Sequence, residues 1–175
     1  KGILAGQTED EKENAQAPLE LAYIYEQEEE IPSAVRYVAT AIERKPSLAG
    51  NSRVIELLIK GLGSKKAETA QKILVEHAGS AAIDPVAKAI ESENSDVRWN
   101  AAEVLTGMGE EKRVNKFELW SKDLLDENTN CATKIKAAEK LAGNDEQKAR
   151  DIIERALEQR YVRRCGPGYF NKYLD

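Results

Sequence analysis

Apolar residues recur at spacings of three and four along most of the chain, the period of helices that each bury one stripe. Over 15–29 the stripe is Leu21, Ala22 and Tyr25, and over 32–44 it is Ala34, Val35, Val38, Ala41 and Ile42. Pro32 and Ser33 suit a helix start, where a missing N–H costs nothing, and Pro46 ends the second stripe. Four more stripes follow: Ile55, Leu58 and Ile59; Ala70, Ile73 and Leu74; Val86, Ala89 and Ile90; Ala101, Val104 and Leu105. They are separated by glycine- and serine-rich breaks at 61–64, 79–80, 92–95 and 107–109, residues that favour helix ends and turns. Phe117, Trp120 and Leu124 then predict a helix, Ala137, Ala138 and Leu141 another beyond a turn at 126–130. Ala149, Ile152, Ile153, Ala156 and Leu157 make a last amphipathic helix, with Asn144 and Asp145 as its caps. At the two ends, Thr8 is a candidate cap behind a short Ile3–Leu4–Ala5 run, and Tyr169, Phe170 and Tyr173 form an aromatic tail that either folds back or docks elsewhere.

Sliding the chain by about 31 residues lays Ile55, Leu58 and Ile59 on Val86, Ala89 and Ile90, and Ala70, Ile73 and Leu74 on Ala101, Val104 and Leu105. Self-similarity of that period marks helix pairs that cannot cover their apolar faces alone and stack on neighbours. With the Asp96-x-Arg98 turn ahead of its small and aliphatic stripe, the region 51–143 resembles HEAT repeats of the short, phycobilisome-lyase-like type. The pair before it, 15–48, resembles a tetratricopeptide hairpin, with Leu21, Ala22 and Tyr25 as packing positions of its first helix, Ala34, Val38 and Ala41 of its second, and Pro46 as the closing turn. It departs from that family in carrying Pro18 where a bulky residue is common. The resemblances imply an all-α fold, a right-handed α-solenoid of antiparallel helix pairs, as one array over 1–175. Its parts are an acidic segment at 1–14, the hairpin at 15–48, the HEAT-like pairs at 51–143, a capping helix at 144–161 and a tail at 162–175.

Composition agrees with helices and narrows the function. Of 175 residues 41% are hydrophobic and only 6% aromatic, which starves a sheet of its preferred residues. A net charge of -5 opposes general nucleic-acid binding, which draws on clustered lysine and arginine. The charge is uneven, however: nine carboxylates crowd the first thirty residues, while Arg150, Arg155, Arg160, Arg163, Arg164 and Lys172 gather late. No run approaches the ~20 apolar residues that cross a bilayer. Two cysteines and one histidine match no zinc spacing. A bridge between Cys131 and Cys165 stays open, but nothing else looks extracellular, so the expectation is a reduced, cytoplasmic protein. The start at Lys1 suggests a fragment, which leaves open a removed address signal or partner domain.

No nucleophile elbow, P-loop, dinucleotide loop or zincin motif is present, so no catalytic residue, cofactor or metal is assigned, and no small-molecule ligand is indicated. In HEAT-like pairs the turn aspartate caps the second helix and the arginine bonds across to the neighbouring repeat, which makes Asp96 and Arg98 structural. Helical period turns Trp99 away from the stripe towards Glu103, and an exposed tryptophan favours an interface, so Trp99, Asn100 and Glu103 are the leading contact candidates. If the second helix of each pair lines the groove, Lys72, Glu76, Lys136, Glu139 and Lys140 line it as well, a mixed-charge surface suited to a protein or peptide. His77 reads as a cation at a helix carboxyl end. The expected function is a non-catalytic scaffold binding a protein or peptide through its groove, the arm of a larger protein. The alternatives are a bilin-handling lyase-like enzyme, as the HEAT resemblance implies, and a HEAT-like nucleic-acid-binding protein.

Overall fold

A computed structural model describes residues 14–143, 146–166, 168–171 and 173. Asn144, Asp145 and Thr8, read above as caps, lie outside them. The helices are α1 (Gln16–Gln27), α2 (Ile31–Arg44), α3 (Ser52–Gly61), α4 (Ala67–Glu76), α5 (Ile83–Ala89), α6 (Ser95–Gly107), α7 (Lys116–Leu125), α8 (Cys131–Ala142), α9 (Glu146–Leu157), and the single turns α10 (Arg160–Arg163) and α11 (Gly168–Asn171). The fold is all-helical, with no strand among the described residues. Helix ends fall where the breaks placed them: α3 stops at Gly61, α6 opens at Ser95 and stops at Gly107, and short 3-10 turns fill 46–50 and 79–82. The chain divides into two compact units, one ending at Val114 and the other starting at Asn115.

In the first unit each helix packs on the next within its pair, α1 on α2, α3 on α4 and α5 on α6. Helices two apart also touch, α2 with α4, α4 with α6 and α3 with α5. Small side chains suit close packing: Ala22 of α1 and Ala34 and Ala41 of α2 are fully buried, and the Tyr25 and Tyr37 rings stack at 5.3 Å between the two helices. Gly61 ends α3 so close to α2 that a Cβ there would sit 2.5 Å from Val35 Cγ2. Glu26 of α1 reaches both Arg53, at 3.3 Å, and Lys60, at 2.7 Å, on α3.

The positions that the 31-residue offset pairs share their burial: Ile55, Leu58, Ala70, Ile73 and Leu74 are buried, as are Val86, Ala89, Ala101, Val104 and Leu105, and Ile59 and Ile90 are both half-buried. The first hairpin differs from expectation. α1 packs through Pro18, Leu19 and Ala22, so Leu21, assigned a packing position, is turned outward and 40% exposed, with Ile24 beside it at 48%. A residue two places from Leu19 lies about 200° round the helix from it, which forces that outcome.

The second unit packs α7, α8 and α9 against one another. Leu124, Ala137, Ala138, Leu141, Ala149, Ile153 and Ala156 form its core with Val162 and Phe170. Phe170 is fully buried, so the tail folds back onto α8, while Tyr169 stays exposed. Trp120, expected in the core, is half-buried; Leu119 and Asp123 take the buried face of α7 with Leu124. Cys131 and Cys165 form a disulfide, where composition favoured free thiols. The α8 start and the end of α10 bring Cα atoms 34 residues apart in sequence to 5.3 Å, a proximity that composition carries no sign of.

Candidate binding groove

The face of α4 that carries Glu68, Lys72 and Glu76 at four-residue spacing forms one wall of a groove, since i, i+4 and i+8 stack along one side of a helix. The other wall comes from Ala39, Ile42 and Glu43 on α2 with Pro46 just beyond it. Thr69, Ile73 and His77 complete a cavity of about 680 Å3. Ile42 and Ile73 are nearly fully buried and give it an apolar floor, while Glu43, Glu68, Lys72 and Glu76 are exposed and make a charged rim. His77 ends α4 and brings Nε2 to 3.9 Å from Glu76.

The structure therefore sets two of the sequence candidates, Lys72 and Glu76, together in a concave site. It adds Glu43, Glu68, Thr69 and His77, which sequence reading did not assign to a site. Their signal was present: Glu68 lies one turn before Lys72 on the same predicted face, but α2 could be placed opposite α4 only with the packing known.

Asn100, half-buried, and Glu103, exposed, are both engaged by bonds within the chain. Asn100 donates from Nδ2 to the Leu62 carbonyl at 2.6 Å and accepts at Oδ1 from the Gln71 amide at 2.9 Å, and Gln71 also donates to Glu103 at 2.8 Å. This knot ties α6 to α4 and to the end of α3. Trp99, beside it, is half-buried rather than standing in solvent.

Asp96 does not cap α6. Asn94 does, its Oδ1 accepting from the Asp96 and Val97 amides at 2.9 and 3.3 Å, and Asp96 lies exposed in the first turn. An asparagine two residues earlier holds the extended backbone a cap needs, whereas Asp96 is already helical. Arg98 is completely buried and donates from Nη1 to the Ser92 and Glu93 carbonyls at 2.8 and 3.0 Å. These two bonds run to the turn of its own helix pair, because a residue in the first turn of α6 points back over the segment that leads into it.

In the second unit Lys136, Glu139 and Lys140 stand exposed on α8. The buried polar residue there is Lys134, which sequence reading passed over. Its ammonium donates to the Thr129 carbonyl at 2.6 Å and to that of Asp126, and lies over the Tyr161 ring at 5.2 Å. Burial pushes it below the usual lysine range, against the pull of Asp126 and Asp123. The Tyr161 hydroxyl donates to the Leu125 carbonyl.

Compared with known proteins, the chain matches no family model, no curated protein and no solved structure.

Proposed function

We propose that the chain is a non-catalytic helical-repeat scaffold, its pairs stacked as a right-handed solenoid, that binds a protein or peptide partner in the groove between α2 and α4. The observation that carries this reading is the groove itself, an apolar floor edged by charged groups, a composition suited to orienting a partner chain. The contact order supports the stacking: α2, α4 and α6 touch in sequence along one layer, and α3 and α5 along the other. Trp99 and the α8 face bearing Lys136, Glu139 and Lys140 are secondary contact surfaces in this proposal.

The test is affinity capture from the source cells with the wild type and with Thr69→Arg, which fills the groove with a bulky side chain. Loss of a specific partner from the variant, at unchanged thermal stability, is the expected result. An identical set of captured proteins sinks the groove as the site. Trp99→Ala run beside it reports whether the second surface contributes.

Compartment bears on where that partner is sought. Composition favours the cytoplasm, whereas a closed Cys131–Cys165 bridge persists in oxidising surroundings. Thiol titration of the protein as isolated under alkylating conditions decides between them: two free thiols support the cytoplasm, none an oxidising compartment.

A further inference from the structure

We propose that the groove between α2 and α4 takes a cationic peptide segment, with a lysine or arginine side chain laid along Ile42 and Ile73 and its charged head among Glu43, Glu68 and Glu76. The inference rests on the reading of this groove as a peptide site and adds the chemistry of the occupant. The cavity of about 680 Å3 is large enough for a few side chains. Its floor of Ile42 and Ile73, with Ala39 and Pro46 on the wall beside it, suits an aliphatic stem, which long basic side chains bury readily while keeping their heads in water.

The rim selects the sign. Three carboxylates face one ammonium, that of Lys72. Glu43 and Glu68 make no hydrogen bond or ion pair with any described residue, and Glu76 meets only His77, at 3.9 Å. By contrast Glu26, on α1, is held between Arg53 and Lys60. The rim carboxylates are thus available acceptors beside an apolar floor. The surrounding field has the same sign, since the described residues 14–114 carry 16 acidic against 12 basic side chains, and so favours the approach of cations.

The test is a titration of the isotopically labelled full chain with the acetylated peptide Lys-Leu-Lys-Ala-Leu-Arg and with its counterpart in which glutamate replaces each basic residue. Amide shifts confined to 39–46 and 68–77 are expected with the basic peptide alone. Glu68→Lys/Glu76→Lys, both exposed positions, should weaken its binding about tenfold at low salt and admit the acidic peptide. Unchanged denaturant unfolding of that variant keeps the comparison sound. If the acidic peptide occupies the wild-type groove, the cationic assignment falls and the peptide site stands. If the basic peptide shifts amides across the whole acidic surface, or charge reversal leaves its affinity unaltered, the cationic assignment also falls. If neither peptide moves the groove amides, both readings fall.

Discussion

The two units build the same turn with different cations. Before α6, Asn94 caps the helix and Arg98, four residues on, is buried against the Ser92 and Glu93 carbonyls. Before α8, Asn130 caps the helix and Lys134, again four residues on, is buried against Asp126 and Thr129 carbonyls. In each case a charged side chain goes into the interior because it satisfies carbonyls that the turn would otherwise strand. The units differ in what surrounds that device. The first has a core running through six helices; the second has, among its described residues, a core of nine, four of them alanine, and adds a disulfide. The contrast teaches that a small unit with little apolar area to bury offsets the deficit with a covalent link.

One tryptophan sits in each unit, Trp99 in the first and Trp120 in the second, so Trp99→Phe and Trp120→Phe backgrounds read the units separately by fluorescence. The largest effect is expected from Arg98→Met, which takes the guanidinium donor from the Ser92 and Glu93 carbonyls and should lower the first unit's unfolding free energy by about 3–4 kcal/mol with the second unit's midpoint unmoved. Lys134→Met should do the reverse; a midpoint shift below about 1 kcal/mol in either would end the claim that the cation holds the turn. Next comes Cys165→Ser, or reduction of the native protein, which should cost the second unit about 3 kcal/mol and leave the Trp99 signal in place. A Trp120 transition indifferent to reductant would mean that the covalent link does not support that unit.

Gly61→Ala follows, at about 2 kcal/mol in the first unit, because its methyl would meet Val35 Cγ2 at 2.5 Å and Ala70 Cβ at 3.2 Å. A neutral result would show that α2 and α3 part more easily than their packing implies. Smaller, and of opposite sign, is Glu29→Gly. Glu29 has φ 62° in the left-handed region, so glycine should raise the first unit's stability by about 0.5–1 kcal/mol. The smallest effect is a pH dependence of the second unit, read through Trp120. The lowered Lys134 means that the unfolded chain binds the extra proton, so stability rises as pH climbs from the folded value towards 10.5. Tyr161 is raised, first by burial and then by Glu127 and Asp126, and removes stability as pH passes 10. Urea midpoints in a Tyr161→Phe background should show the rising limb alone; a flat profile there would remove Lys134 as its source.

How much of this was legible follows from the physics of each signal. Periodicity reports which residues face inward, and it places α3 to α6 with their buried positions, since those helices are covered on the side the stripe marks. It misplaces part of α1: of the stripe Leu21, Ala22 and Tyr25, Ala22 is buried and Tyr25 packs on the core, but Leu21 faces outward and Leu19 takes its place, because a helix with apolar residues on two faces has no single period to read. The Asn-x-x-x-cation spacing at Asn94–Arg98 and Asn130–Lys134 was visible and went unread, because a charged residue is presumed to be solvated. Half of the groove was legible, as Lys72 and Glu76 share a helical face. Its other wall, the Gln71–Asn100–Glu103 knot and the Cys131–Cys165 pair all depend on which helices become neighbours, and a single sequence does not encode that in any local spacing.

The burial of Phe170 has a consequence for the order in which the chain matures. Every residue of the first unit's core has been synthesised once Val114 is added, whereas the second unit waits for Cys165 and Phe170. Cys131 emerges 34 residues before its mate, an interval of about two to seven seconds at ordinary translation rates of 5–20 residues per second. Through that interval its sulfur is a thiol exposed to whatever oxidants, metals or other cysteines surround the nascent chain.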